Sequence, residues 1–174
     1  MIECKVLNSS IEELEDFSLP FAQLLFEAVQ EGASMGYLLE TPMSQLESFW
    51  SKVLSHVAQG SAKIIYALEG REIVGVVVLQ NESNPNALHR AQVKKLIVRS
   101  DMRGMGIAKK LLAIAEMEAR MSGRTLLILD TETQSGADYL YQSQGWIPMG
   151  TMPGHSALPN GELRPTTFYY KDLA

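Results

Sequence analysis

The chain has 174 residues, of which 46% are hydrophobic and 20% charged, values ordinary for a globular protein of one domain with a core large enough to be stable. Its formal net charge of −5 argues against a dedicated nucleic-acid binder, which carries a basic face, and requires any anionic ligand to be held by a locally positive site. The single cysteine, Cys4, excludes an internal disulfide and suits a reducing cytosol.

From the amino end, Ile2 to Leu7 reads as a first strand, with Cys4 as buried filler. No charged-then-apolar leader precedes it and no apolar run approaches a membrane span, so a cytoplasmic location without membrane contact is expected. Leu19 to Gln30 spaces Phe21, Leu24, Leu25, Ala28 and Val29 as an amphipathic helix that stops at Gly32. Ala33 to Pro42 reads as a loop. Ser44 to Gln59 returns to helical period through Leu46, Phe49, Trp50, Val53, Leu54 and Val57. The period then changes. Ala62 to Leu68 and Ile73 to Leu79 are strands joined by a turn at Glu69-Gly70-Arg71, and Ala91 to Val98 is a third strand at the centre of the sheet. Gly104 to Met121 is a helix with an apolar stripe, stopped by Gly123. Thr125 to Leu129 is a strand of the buried type, and Ala137 to Gln144 a short helix. Trp146 to Met152 and Thr166 to Tyr170 are the last strands, with a Pro- and Gly-rich loop, Pro153 to Gly161, between them. The order β-α-α-β-β-β-α-β-α-β-β implies an α/β fold, a mixed central sheet with helices on both faces, and residues 1–174 read as a single domain.

The segment that carries chemistry is Arg103-Gly104-Met105-Gly106-Ile107-Ala108, which follows a strand and opens a helix. Glycines at such a junction allow a tight turn and a close approach of backbone to ligand. The unpaired N–H groups of the first helical turn then face outward with the positive end of the helix dipole, an arrangement that binds phosphate. Other phosphate motifs fit less well. The dinucleotide fingerprint G-x-G-x-x-G lacks its third glycine, since Lys109 stands there, and a Walker loop lacks its Gly-Lys-Ser/Thr ending.

Leu96-x-Val98, Arg103-Gly-x-Gly106-x-Ala108 and Ala137-x-x-Leu140-Tyr141-x-x-x-Gly145-Trp146 together resemble the signature of the GNAT N-acetyltransferase superfamily. The resemblance implies acetyl-CoA as co-substrate and no metal. It implies that Leu96, Ile97 and Val98 pair through their backbone with the pantetheine arm. Arg103, Gly104, Met105, Gly106, Ile107 and Ala108 would bind the pyrophosphate, and a backbone N–H near Val98 would bond the acetyl carbonyl. Further stretches, Gln23-Leu24-Leu25-Phe26-Glu27, Gly32-Ala33-Ser34, Leu129-Asp130-Thr131-Glu132 and Pro153-Gly154 with Pro159-Asn160-Gly161, look like the tabtoxin-resistance branch, whose members acetylate an amino-acid-like toxin. The implied partner is a small-molecule amine, with no nucleic acid and no membrane, and a monomer or homodimer. A peptide or protein N-terminal acetyltransferase of the same fold and a non-catalytic acyl-CoA-binding module are the rival readings.

By its place in the Leu-Tyr-x-x-x-Gly motif, Tyr141 is implied as the general acid that protonates the leaving thiolate; a core tyrosine packing helix on sheet is the alternative. Tyr139 is expected to be structural. The superfamily's usual glutamate on the central strand is replaced by Gln92, which has no basicity. Asp130 is then the best remaining carboxylate to accept the amine proton, through water, or it caps a turn. His89 is a second candidate base, and Glu132 and His155 are weaker ones. For the acceptor pocket the candidates are Ser34, Tyr37 and Gln92, then Glu27 and the Pro153–Gly161 loop. Lys94, on the face of Gln92 by alternation, either meets a substrate carboxylate or pairs with Asp130.

Overall fold

The computed structural model describes residues 1–7 and 14–174, apart from the side chain of Glu15. Seven strands make one sheet: β1 (Ile2–Val6), β2 (Ala62–Glu69), β3 (Glu72–Asn81), β4 (Arg90–Val98), β5 (Leu126–Glu132), β6 (Ile147–Ala157) and β7 (Leu163–Asp172). Their order across it is β1-β2-β3-β4-β5-β7-β6. Every neighbouring pair is antiparallel except β4 and β5, which run parallel. That one parallel pair needs a crossover, and it is supplied by a helix.

Among the described residues, four α-helices cover the two faces. On one lie α1 (Ser18–Gln30) and α2 (Met43–Ala58), on the other α3 (Ile107–Met121) and α4 (Gly136–Ser143). Each buries the stripe its sequence spells out: Phe21, Leu24, Leu25 and Ala28 in α1, Leu46, Trp50, Val53 and Leu54 in α2, Ile107, Leu111, Leu112, Ala115 and Ala119 in α3. Phe21 meets Trp50 with ring centres 4.9 Å apart, joining α1 to α2 above Ile64, Val76, Val78 and Ile97 of the sheet. The opposite core packs α3 and α4 on Ile65, Val77, Leu79, Ala91, Val93, Leu127 and Leu129. Each such large apolar side chain removed from water contributes roughly 1.5–3 kcal/mol.

The seat of α3 is fixed closely. A Cβ on Gly75 of β3 would lie 3.2 Å from side-chain atoms of both Ile107 and Leu111, so any larger residue there presses on the helix and requires these side chains to give by a few tenths of an ångström. Two poorly exposed ion pairs fasten its far side, Lys63 to Glu118 at 2.6 Å and Lys171 to Glu116 at 2.7 Å.

Some boundaries differ from those expected. α3 begins at Ile107, not Gly104, because Gly106 is left-handed (φ 76°) and stands outside the helix as its N-cap. β5 continues through Asp130 to Glu132. The Pro153–Gly161 segment is mostly strand, not loop: β6 runs to Ala157 and β7 starts at Leu163. Breaks of register between Pro148 and Gly150, and between Met152 and Ser156, absorb the prolines and glycines that read as loop residues. β6 forms one edge of the sheet, with Ile147 to His155 exposed. β1, at the other edge, exposes Glu3 and Lys5, paired at 3.3 Å. Cys4 is partly buried on the α3 side, and burial pushes its thiol up despite the opposing pull of Lys110, as suits filler.

Candidate active site

β4 and β5 are paired only through Arg90–Leu126, Ala91–Leu127 and Gln92–Ile128. Beyond Gln92 both strands continue without pairing to each other, so the sheet opens into a wedge. At the same level β4 bulges. Lys94 faces Val78 and Ile97 faces Val76 on β3, so Lys95 and Leu96 together oppose Val77. Lys95 takes φ 55° to do so. The bulge resets the alternation of the strand. Ala91 and Val93 pack toward α3, and so do Leu96 and Val98, whereas Ile97 turns to the α1–α2 face.

The wedge opens into a cleft of about 670 Å³. Leu96, Ile97 and Val98 line one wall, and Thr131, Glu132 and the α4 residues Ala137 and Leu140 the opposite one. The floor is the start of α3: Arg103, Gly104, Gly106, Ile107, Ala108 and Lys109. Gly104 (φ 78°) and Gly106 (φ 76°) are both left-handed, and neither would have an atom within 4 Å of an added Cβ, so the turn has open space beside its backbone. No side chain caps α3. The N–H groups of its first turn therefore lack partners inside the helix and are available to an anion. Arg103 and Lys109 add positive charge. Arg103 is engaged across the mouth: its guanidinium pairs with Glu31 at 2.7 Å and donates from Nε to the Val98 carbonyl at 3.1 Å. A hydrogen bond from Ser100, and then Arg103, hold the Glu31 carboxyl below its ordinary range. Such a cradle, glycine-shaped and lined by free N–H groups, fits a pyrophosphate.

Of the expected cofactor residues, all but Met105 line this cleft; the Met105 side chain is exposed. Ser34 lines it too, beside Ala33 and Met35. Tyr37 and Gln92 do not. Tyr37 stands over Lys95, and Gln92 lies on the α1–α2 face where the parallel pairing ends.

Tyr141 is buried in the α3–α4 core, edge-on to Trp146 at 5.8 Å and tilted against Tyr169 at 6.2 Å, directly behind the cleft wall made by Ala137 and Leu140. Burial, with the negative charge of Asp130, raises its phenol far above the usual value, so it stays protonated. Tyr169 donates to the buried Asp138 carboxylate, which also accepts the Gln134 N–H at 2.7 Å. Tyr139, expected to be structural, is exposed to solvent and packs in no core. Asp130 is exposed on the edge of the wedge, paired in register with Phe168, and its charge acts on both Tyr141 and Lys95. The charge of Asp130 on β5 thus reaches Tyr141 of α4 and Lys95 of β4, but neither Asp130 nor Tyr141 lines the cleft itself. His89 does not join them. It sits in the turn before β4, where its carbonyl accepts from Thr125 and Leu126, and six residue steps along the strand, about 20 Å, separate it from the bulge at Lys95. Glu132 is taken up by Arg164 at 3.3 Å. His155 bonds Ser156 and Thr166 and packs edge-on against Phe168. Lys94 is half-buried and forms no ion pair with Asp130.

Sequence reasoning missed Glu31, Lys95, Met102, Thr131 and the cleft wall of α4. Lys109 was legible as the cation three places after Gly106, and was read only as the residue that breaks a dinucleotide fingerprint.

The profile of the acetyltransferase (GNAT) domain matches residues 25–153. Among curated proteins, N-acetyltransferase 8F1 of Rattus norvegicus is 37% identical over 86 residues, 48% of this chain and 39% of that protein. N-alpha-acetyltransferase 30 of Saccharomyces cerevisiae is 34% identical over 80 residues, 45% of this chain and 46% of that protein. The alignments thus span less than half the length of these relatives. Two solved structures share the whole fold at low identity. The acetyltransferase-like protein yncA of Salmonella typhimurium, solved with its cofactor acetyl-CoA, has a TM-score of 0.79 at 16% identity, over 99% of this chain and 94% of that one. The ribosomal-protein-alanine N-acetyltransferase of Brucella melitensis has a TM-score of 0.76 at 20% identity, over 97% and 99%.

Proposed function

The chain belongs to the GNAT acetyltransferase family, and from that premise we propose that it is a single-domain, cytoplasmic N-acetyltransferase that moves the acetyl group of acetyl-CoA to the primary amine of a small, amino-acid-like molecule. The observation that carries this reading is the wedge between β4 and β5, floored by the left-handed glycines and free N–H groups at the start of α3. The first-turn backbone of α3, with Arg103 and Lys109, holds the phosphates, and the stretch Leu96–Val98, unpaired on its β5 side, lies along the acyl arm.

The chemistry is direct attack. The lone pair of the neutral amine forms the new C–N bond at the thioester carbonyl, and the C–S bond breaks. A backbone N–H near Val98 stabilises the oxyanion, typically the largest electrostatic contribution in such reactions, about 3 kcal/mol. Tyr141, kept protonated by its burial, gives its proton to the departing sulfur. Asp130 takes the proton lost by the amine, through water.

The likeness to the tabtoxin-resistance branch favours an amino-acid-like acceptor, and Ser34 at the cleft is a candidate contact for it. A second reading, acetylation of peptide N-termini, is favoured by the names of the yeast and Brucella relatives. CoA-thiol release from acetyl-CoA, measured across free amino acids, their amides and short peptides with free N-termini, separates the two. Preference for peptides would reverse the choice of acceptor. Tight acetyl-CoA binding with no turnover on any amine would leave a non-catalytic acyl-CoA-binding module.

A further inference from the structure

Among the described residues, two that are not glycine have a left-handed backbone, Lys95 (φ 55°) in β4 and Gln134 (φ 63°) between β5 and α4. Such a conformation is strained for an ordinary L-residue and persists only where its surroundings hold it. At Gln134 the holder is the Asp138 carboxylate. At Lys95 the β3 pairing of Lys94 and Ile97 on either side sets the bulge, and the residue's own side chain adds a second hold. Nζ donates to the Met35 carbonyl oxygen at 2.5 Å and lies 5.4 Å from the ring centre of Tyr37 and 5.1 Å from that of Phe49. The two rings meet edge to face, which fixes the box around the ammonium.

Met35 and Tyr37 belong to the segment 33–41 that follows α1. This segment contributes Ala33, Ser34 and Met35 to the cleft. It is anchored at Leu39 from both sides, by the Gln30 side chain on its carbonyl and by its own N–H on Pro159 at the tip of the β6–β7 hairpin. One ammonium therefore joins the bulge of β4 to the segment that borders the cleft and carries Ser34 and Tyr37, the residues expected to meet the acceptor.

Resting on the acetyltransferase reading above, we propose that Lys95 is a positioning residue: its boxed ammonium fixes segment 33–41 against the β4 bulge and thereby sets affinity for the acceptor amine, not for acetyl-CoA. The charged groups that act on it are Lys94 on its own strand and Asp130 across the wedge. The loop presents the phenol of Tyr37, raised by burial and so neutral, and α2 presents Phe49. Burial first, then Lys94, lower the Lys95 ammonium to about 8, against the upward pull of Asp130. The charge is therefore present below pH 8 and lost above it. Because the folded pKa lies below the ordinary value, the buried charge opposes folding below pH 8, and that penalty is relieved as pH rises. A brace that served stability alone would have the opposite character.

The test uses Lys95→Met, which keeps the stem and removes the charge, and Lys95→Gly, which accepts φ 55° without strain. Initial rates of CoA release are taken with acetyl-CoA and the best amine of the panel, acetyl-CoA affinity by calorimetry, and amide exchange of residues 33–41 in the free protein. Both variants should raise KM for the amine about tenfold while the acetyl-CoA Kd stays within about twofold. Exchange over 33–41 should quicken by about tenfold, and Lys95→Met should melt no lower than wild type. The ratio of wild-type to Lys95→Met kcat/KM, in which the titration of the amine itself cancels, should be flat below pH 8 and fall above it. Unchanged amine KM, unchanged exchange over 33–41, or an equal loss of acetyl-CoA affinity overturns the proposal. A ratio that rises through pH 8 also overturns it and makes Lys95 a base. Failure of wild type to bind acetyl-CoA would overturn the acetyltransferase reading instead, and the exchange measurement on the free protein would still decide the role of Lys95.

Discussion

Replacing Gly106 separates the geometry of the phosphate cradle from its charge. The residue is left-handed (φ 76°, ψ 10°), and an added Cβ meets no atom within 4 Å. A side chain at this position therefore costs backbone strain, about 1–2 kcal/mol, and no clash. Asparagine and aspartate tolerate this region better than other side chains and match each other in shape. Gly106→Asn and Gly106→Asp should thus fold alike and differ only in charge at the site of the phosphates. Two like charges about 4 Å apart repel by about 1 kcal/mol in water and about 4 kcal/mol at the effective dielectric of a protein surface. That range corresponds to a loss of roughly 5-fold to 1000-fold in affinity, and the half-enclosed cleft places the expected loss for Asp above tenfold relative to Asn. Calorimetric titration with acetyl-CoA reads it directly, and the gap between the variants should narrow as salt is raised. Equal affinities for folded Asn and Asp variants at low salt would refute the placement of the phosphates at the start of α3.

Tyr141→Phe removes only a hydroxyl from a buried ring, so the fold and the acetyl-CoA Kd should hold while kcat falls roughly 100-fold; full turnover in steady-state assays would make the residue structural. Asp130→Asn should lower the rate most at low pH, where little amine is free, and recover as pH rises; a pH–rate profile parallel to wild type would mean that Asp130 supports without accepting a proton. Gly75→Ala should destabilise by about 1–3 kcal/mol in urea unfolding, since its methyl group presses on Ile107 and Leu111; an unchanged unfolding midpoint would show that α3 shifts freely on the sheet.

The order of the elements was legible because burial enforces period. The stripes of α1, α2 and α3 and the apolar runs of β2 and β3 had no other way to hide their side chains. The glycine turn was legible because a left-handed backbone beside open space has few sequence solutions. What failed to show were features made by tertiary pairing. Lysine has no preference for φ 55°, and the bulge at Lys95 exists only because Lys94 and Ile97 are held by β3 on either side of it. Strict alternation placed Lys94 on the face of Gln92 correctly, but had no means to place the next residue there as well. Asp138 and Tyr169, which meet behind Tyr141, are separated by 31 positions, and no local pattern links them. Pro153 and Gly154 read as loop because their strand character depends on the register breaks that accommodate them.

The same prolines have a bearing on solubility. An edge strand of 11 residues with no charged side chain, exposing Ile147, Met149 and Met152, is a template on which a second polypeptide could add itself by backbone pairing. Pro148 and Pro153 have no N–H to offer, and the register breaks beside them twist the edge out of a straight ladder. The opposite edge, short and carrying Glu3 and Lys5, is protected by charge instead. The two ends of the sheet thus resist indiscriminate self-assembly by different chemistry, one by withholding donors and the other by carrying ions. Salt would weaken only the second of these defences.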